Sequence, residues 1–189
     1  MKMNEVLKAI ADRRSNRSYS SVQLTDEQLQ ALIDAALQSP SARNTQLWHF
    51  SVVQNRALLD AFAADLSKMM AARMPADQRE RYENGEFHVF YHAPTVIFIS
   101  RPEACDNRFV EVDCGIAAEN IALAAQSLGL GSIILGLPME VFLSERGEDY
   151  KKAFGFPEGH QFCIGVAVGQ SNATKEAHPI GENKVHIVR

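Results

Sequence analysis

Three guanidinium groups fall within five residues at Arg13, Arg14 and Arg17, with the Ser15 hydroxyl among them. Arginine forks match phosphate oxygens by paired charge-assisted hydrogen bonds, so this set is suited to holding a terminal phosphate. A second role competes for the same cations, because basic side chains at a helix C-terminus bond its free carbonyls and complement its dipole. Downstream, Ser39-Pro-Ser-Ala-Arg-Asn-Thr-Gln-Leu-Trp-His-Phe50 gathers Ser41, Asn44 and Gln46. Amide side chains both donate and accept, so Asn44 and Gln46 can match the alternating carbonyls and N–H on the pyrimidine edge of a flavin. Serine and asparagine also serve turns for backbone reasons alone. The run Gly129-Leu-Gly131-Ser-Ile-Ile-Leu-Gly136 is glycine-rich. Its third glycine is displaced from G-x-G-x-x-G and its order is helix into strand, the reverse of a dinucleotide-binding turn. A helix stop and a turn account for Gly129 and Gly131, while Gly136, just past a strand, can let backbone amides approach a flat ring.

Other chemistries lack their residues. His88 and His92 are spaced to share a helical face, but there is no H-E-x-x-H and no third ligand nearby in sequence, so no metal is expected. No G-x-S-x-G occurs. Cys114, beside Asp113, has the character of a small buried residue, and Trp48 that of a core anchor.

The elements that must position these residues follow from periodicity. Val6, Leu7 and Ile10 form one stripe of a helix running from Asn4 to the arginines. Thr25 and Gln28 make a capping box with Leu24 and Leu29 as its staple, opening a helix that ends at Ser39-Pro40. A strand over 49–54 leads to a third helix with Leu59, Phe62, Ala63 and Leu66 on one face. The polar stretch 73–86 predicts a helical or loop excursion over a site. Thr95-Val-Ile-Phe-Ile-Ser100 predicts a buried strand, and an alanine-rich helix spans about Val110 to Leu128, stopping at Gly129. Ile133–Leu135 and Gln161–Gly169 are further strands. After Gln170 the tail is too polar to fold alone, yet Lys184–Val188 alternates like a strand and needs a surface to lie against. Strands and helices do not alternate one for one, so the fold class is α+β, in a single domain over 1–189.

The 189 residues suffice for a core without staples. Hydrophobic residues make up 46% and charged ones 22%, ordinary globular usage that suggests neither disorder nor a fibrous architecture. Nineteen basic and 23 acidic residues give a net charge of −4, so no nucleic-acid partner is expected. Cys105, Cys114 and Cys163 show no paired framework, the usage of a reducing compartment. With no signal peptide and no apolar run of membrane-spanning length, a cytoplasmic location and no membrane partner are expected.

Arg13-Arg-Ser-Asn-Arg17 with Tyr19, then Ser-Pro-Ser-Ala-Arg-Asn-Thr-Gln-Leu-Trp-His-Phe, then the alanine-rich helix leading into Gly-Leu-Gly-Ser, resemble in order and spacing the FMN-dependent nitroreductase family. The resemblance implies a three-layer fold with a mainly antiparallel central sheet flanked by helices. It also implies a homodimer with FMN at the subunit interface and a tail, 171–189, swapped onto the partner. By that likeness Arg13, Ser15 and Arg17 hold the phosphate, with Arg14 at or next to the flavin. Ser41, Asn44 and Gln46 reach FMN from the partner or near the seam, and Leu135 and Gly136 line the ring near N5. Leu47 stands where many members have proline. Asn183-Lys184 stands where a basic pair is common, leaving Lys184 or Arg189 to complete the phosphate site.

The activity implied is ping-pong transfer of a hydride from NAD(P)H through flavin N5 to a small nitroaromatic, quinone or similar acceptor, with no catalytic side chain demanded. Three alternatives share these residues: a related flavin reaction such as dehalogenation or dehydrogenation, a non-catalytic flavin-binding or storage module, and a phosphate-binding module without flavin. Acceptor profiling, NAD(P)H oxidation and visible absorbance separate them in turn.

Overall fold

The computed structural model describes residues 3–173 and 175–189. Four strands, β1 (His49–Val53), β2 (Thr95–Pro102), β3 (Gly131–Leu135) and β4 (His160–Gly169), form a sheet in the order β1-β2-β4-β3, antiparallel at every pairing. The helices are α1 (Glu5–Asp12), α2 (Asp26–Leu37), α3 (Arg56–Arg73), α4 (Ala76–Glu83), α5 (Val110–Ser127), α6 (Met139–Phe142) and α7 (Gly147–Ala153).

Helices cover both faces of the sheet, and β2 shows why its sequence is apolar without interruption. Its Val96 and Phe98 enter one core cluster with Phe62 and Leu66 of α3, Phe142 of α6 and Phe154 beyond α7. Its Ile97 and Ile99 enter the other, with Leu32 and Ala36 of α2 and Ala117, Ala118 and Ile121 of α5. A strand buried on both sides has no polar face to alternate with. The fold is the three-layer α+β arrangement that the resemblance implies, with α2 and α5 as one outer layer.

Local chemistry sets the helix limits. Thr25 Oγ1 accepts from the Gln28 amide at 3.2 Å and Gln28 Oε1 from the Thr25 amide at 3.0 Å, closing the capping box of α2. α5 ends at Ser127, and the chain turns at Gly129 with φ +72°, a left-handed conformation that costs glycine little. The alanines of α5 let it lie close to the sheet and to α2.

The stretch 73–86 takes the helical of its two expected forms over α4, anchored on α3 by buried Tyr82, whose carbonyl accepts from Ser67 Oγ at 2.8 Å. The structure departs from expectation in three places. Helices α6 and α7 have four and seven residues, too few for a helical period to show in sequence. Residues 184–188 form no strand, since this chain offers no strand edge beside them, and Val185, Ile187 and Val188 are exposed. Finally, β3 begins at Gly131 and not at Ile133.

That last difference corrects the assignment of Gly131 to a turn. A Cβ at Gly131 would lie 2.8 Å from Ser171 Cβ and 2.9 Å from Asn16 Cγ. The glycine is there because two other segments cross the strand: Asn16 donates its amide to the Ser132 carbonyl at 2.9 Å, and its Nδ2 donates to Ser171 Oγ at 2.9 Å. The segment after α1 is thereby pinned to the edge of β3. Gly131→Ala should cost roughly 1–3 kcal/mol through overpacking and loosen the arginine segment. Chemical denaturation checks it, and an unchanged midpoint would mean that Ser171 and Asn16 move aside freely.

Candidate functional site

α1 opens with Asn4, whose Oδ1 accepts from the Leu7 amide at 2.9 Å, and closes at Arg13, where the backbone leaves the helix with ψ 134°. The next residues run along the edge of β3, with Ser15 bridged to Ser132. Tyr19 is buried beneath them, its hydroxyl donating to the Asn16 carbonyl at 3.0 Å. A helix end and a strand edge therefore hold the arginine segment from two sides.

The three arginines are not equivalent. Arg14 Nη1 donates to the carbonyls of Ala11 at 2.7 Å and Arg13 at 2.8 Å, which is the helix-end role, while its Nε is buried without a partner. Arg13 Nε donates to Glu119 of α5 at 3.1 Å. Arg17 is exposed, with one long contact of 3.5 Å to the Ser15 carbonyl and its guanidinium carbon 5.9 Å from the Tyr91 ring centre. It has the weakest ties within the chain.

Arg13, Arg14, Ser15 and Arg17 line one cavity of about 410 Å³, and Lys175 and His178 of the tail line its other side. Four cations around one concavity concentrate a positive potential that attracts an anion. Lys175 and His178 carry no local sequence signal for this role. Lys184 does not line this cavity; its side chain lies over Gly181. Arg189 is exposed at the chain's end.

The amide loop is built separately. Asp113 of α5 accepts the Ala42 amide on both carboxylate oxygens, at 3.1 and 3.2 Å. Asn107 donates to Thr45 Oγ1 at 2.9 Å, and Asn120 to Ser39 Oγ at 2.9 Å. Ser41 Oγ accepts the Gln46 amide at 2.9 Å, and Gln46 Nε2 donates to Asn44 Oδ1 at 2.8 Å. Arg43, Asn44 and Gln46 all have φ near +50°, a conformation non-glycine residues keep only where their surroundings hold it. Buried Asp113, Asn107 and Ser39 supply that hold, and Asn44 and Gln46 face solvent. Neither amide lines the arginine cavity. At the far end of β3, Leu135 is buried in the core, and Gly136 is exposed with open space where a Cβ would be.

The nitroreductase family model matches residues 10–170, which takes in the arginine segment, the amide loop and all four strands. The chain belongs to the nitroreductase family. A nitroreductase from Desulfitobacterium hafniense, solved with bound FMN, superposes with a TM-score of 0.91 at 37% identity, covering 99% of this chain and 100% of that one. Another from Bacteroides fragilis, also with bound FMN, gives 0.88 at 29% identity over 99% and 100%. An Archaeoglobus fulgidus protein provisionally named NADH dehydrogenase/NAD(P)H nitroreductase is 33% identical over 178 residues, 92% of this chain and 90% of its own length.

This nitroreductase-family chain also assembles a cluster that sequence spacing did not reveal. His88 and His92 lie on a turn, not a helix, and the third group within reach is Asp60 of α3, all three ligand atoms lying within 4.8 Å of one another. Their lone pairs are engaged. His88 Nδ1 accepts the Phe90 and His92 amides at 3.3 Å, which leaves Nε2 to donate to Asp60 at 3.1 Å. Arg56 donates to both Asp60 oxygens and to His92 Nδ1 at 2.9 Å. The three groups form a hydrogen-bonded network around the Arg56–Asp60 ion pair.

Burial, with neighbouring His92, brings the His88 pKa down from 6.5 to about 4 against the pull of Asp60. Because the folded value lies below the unfolded one, its contribution to stability is complete above pH 6.5 and is lost as pH falls through about 4. Denaturation midpoints taken across that window should fall more steeply in the wild type than in His88→Gln; parallel profiles would contradict this assignment.

Proposed function

We propose that the chain is an FMN-dependent NAD(P)H oxidoreductase working as a cytoplasmic homodimer, in which residues 1–189 form one domain and the tail 171–189 wraps the partner. The cationic cavity at the end of α1 carries this reading. It suits a phosphate monoester: Arg14 leaves a buried Nε unpartnered, Arg17 is weakly tied, and Lys175 adds charge from across the opening. Arg13, Ser15 and Arg17 hold the phosphate, with Arg14, tied to the helix end, at or next to the flavin.

Asn44 and Gln46, seated on Ser41, present an amide edge suited to the pyrimidine ring. They do so on the other subunit's site, which accounts for their distance from this chain's own cavity. The open side of Gly136 leaves room for a flat ring against the end of β3, above Leu135. When bound, FMN supplies hydride transfer at N5 between NAD(P)H and a nitroaromatic, quinone or similar acceptor. The protein's part is to fix phosphate and ring edge and to keep one face open.

The dimer rests on apolar surface with no partner within the chain. Val6 and Ile10 of α1 are 64% and 50% exposed, and Val112 and Ile116 of α5 are 58% and 36% exposed. Ile180, Val185 and Val188 of the tail are more open still. So many apolar side chains in contact with water mark an interaction surface, and a second copy with the same tail covers it. No helix among the described residues is long and apolar enough to cross a membrane. Two subunits of 21.0 kDa make 42.0 kDa. The test is sedimentation of the purified protein after incubation with FMN: a yellow species of dimer mass is expected. A colourless protein would sink the flavin assignment, and a yellow monomer the dimer.

A further inference from the structure

β4 holds one residue more than its neighbour can pair. Ile164 pairs with Ile99 and Phe162 with Ser100, so Cys163 has no partner in the ladder. It is the extra residue of a β-bulge, a device that re-aims a side chain. In an unbroken strand Phe162 and Ile164 would share a face. Here Phe162 packs with the α3 cluster, whereas Cys163 and Ile164 both pack with the α5 cluster. The bulge thus turns Cys163 towards α5, where Cys114 is fully buried in the same cluster and close enough for the two thiols to perturb one another. On its outer side Cys163 lines a cavity of about 350 Å³ shared with Arg101, Gln161 and Glu111. One sulfur of the pair can be reached from solvent and the other cannot.

We propose that Cys163, turned by the bulge onto Cys114 and open to the Arg101 cavity, is an oxidation site at which hydrogen peroxide links β4 to α5 through a disulfide. The Cys163 thiolate attacks one peroxide oxygen and the O–O bond breaks. The departing hydroxide takes up the proton that Cys163 released, leaving a sulfenic acid and one water. The Cys114 sulfur then displaces hydroxide from Cys163: the S–S bond forms, the S–O bond breaks, and the Cys114 proton leaves in a second water. Two thiols lose two electrons and the peroxide gains them.

The order of attack follows from the surroundings. The hydrogen bond from Cys114 holds the Cys163 thiol below its ordinary range, against burial and the Glu111 charge and with help from Arg101. The same hydrogen bond, with burial and the Asp113 charge, pushes Cys114 up. The attacking sulfur is therefore the accessible one and the resolving sulfur the buried one. The link would tether the turn of α5 whose Asp113 seats the amide loop.

The third cysteine supplies an internal control, since Cys105 is exposed. The full-length protein is treated with graded hydrogen peroxide, then denatured, alkylated and mapped by peptide mass. The expected product is a Cys114–Cys163 linked peptide, lighter by about 2 Da than the two reduced peptides together, with Cys105 free to alkylate. Cys163→Ser should abolish the link, and Cys114→Ala should leave a sulfenic acid on Cys163 that dimedone traps. Oxidation confined to Cys105, a link through Cys105, or Cys163 and Cys114 both alkylated after treatment would each overturn the proposal. The test requires neither flavin nor dimer, so its outcome is independent of the proposed activity.

Discussion

Arg17→Ala weakens FMN binding by roughly 10- to 150-fold, the equivalent of one charge-assisted contact worth about 1.5–3 kcal/mol. The expectation is sharper for Arg17 than for its neighbours. Arg14 already bonds two carbonyls and Arg13 an acidic partner, so replacing either also disturbs α1 or leaves Glu119 unpaired. Arg17 gives up only a 3.5 Å contact to a carbonyl and a loose approach to Tyr91. Its loss should therefore leave the unfolding midpoint of the flavin-free protein in place while the FMN titration shifts. Equal affinity in mutant and wild type would remove Arg17 from the phosphate site; a shifted midpoint would make its role structural.

Phe62→Ala destabilises the protein by about 3–5 kcal/mol, the usual cost of emptying a well-packed aromatic site. Phe62 is fully buried at the centre of α3, and its ring centre lies 4.8 Å from that of Tyr150, 5.1 Å from Phe142 and 5.5 Å from both Phe90 and Phe154. These rings come from α6, from α7 with its C-terminal cap and from the turn before β2, so no single side chain can move into the space. For a chain of this size the loss corresponds to a fall in Tm on the order of 10 °C. A calorimetric shift of only one or two degrees would mean that the cluster collapses around the gap.

Much of this was legible because short-range rules and the tertiary fold agree. The capping box at Thr25 and Gln28, the apolar face of Leu59, Phe62 and Leu66, and the stop at Gly129 each depend on chain neighbours and are found where periodicity puts them. The arginine segment was visible for the same reason. The division of labour within it was not: that Arg14 serves the helix end and Arg17 stays loose depends on Glu119, Tyr91 and the carbonyls of α1. Gly131 was misread because its neighbours, Asn16 and Ser171, lie 155 residues apart in the chain. Asp60 was missed as the third member of the histidine cluster because it sits on α3, 28 residues before His88. The tail's alternation at 184–188 predicts a strand that has no partner edge within one chain. Its apolar residues stay exposed, which is the condition the proposed dimer explains.

Anaerobic titration of the FMN-loaded protein with NADH and then NADPH, followed by visible absorbance, tests the proposed activity most directly. Stoichiometric bleaching by at least one of the two, with colour restored on adding a nitroaromatic or quinone, is the predicted result. A protein that holds FMN yet is bleached by neither nucleotide would contradict the assignment and leave a flavin-binding module without the reductase chemistry.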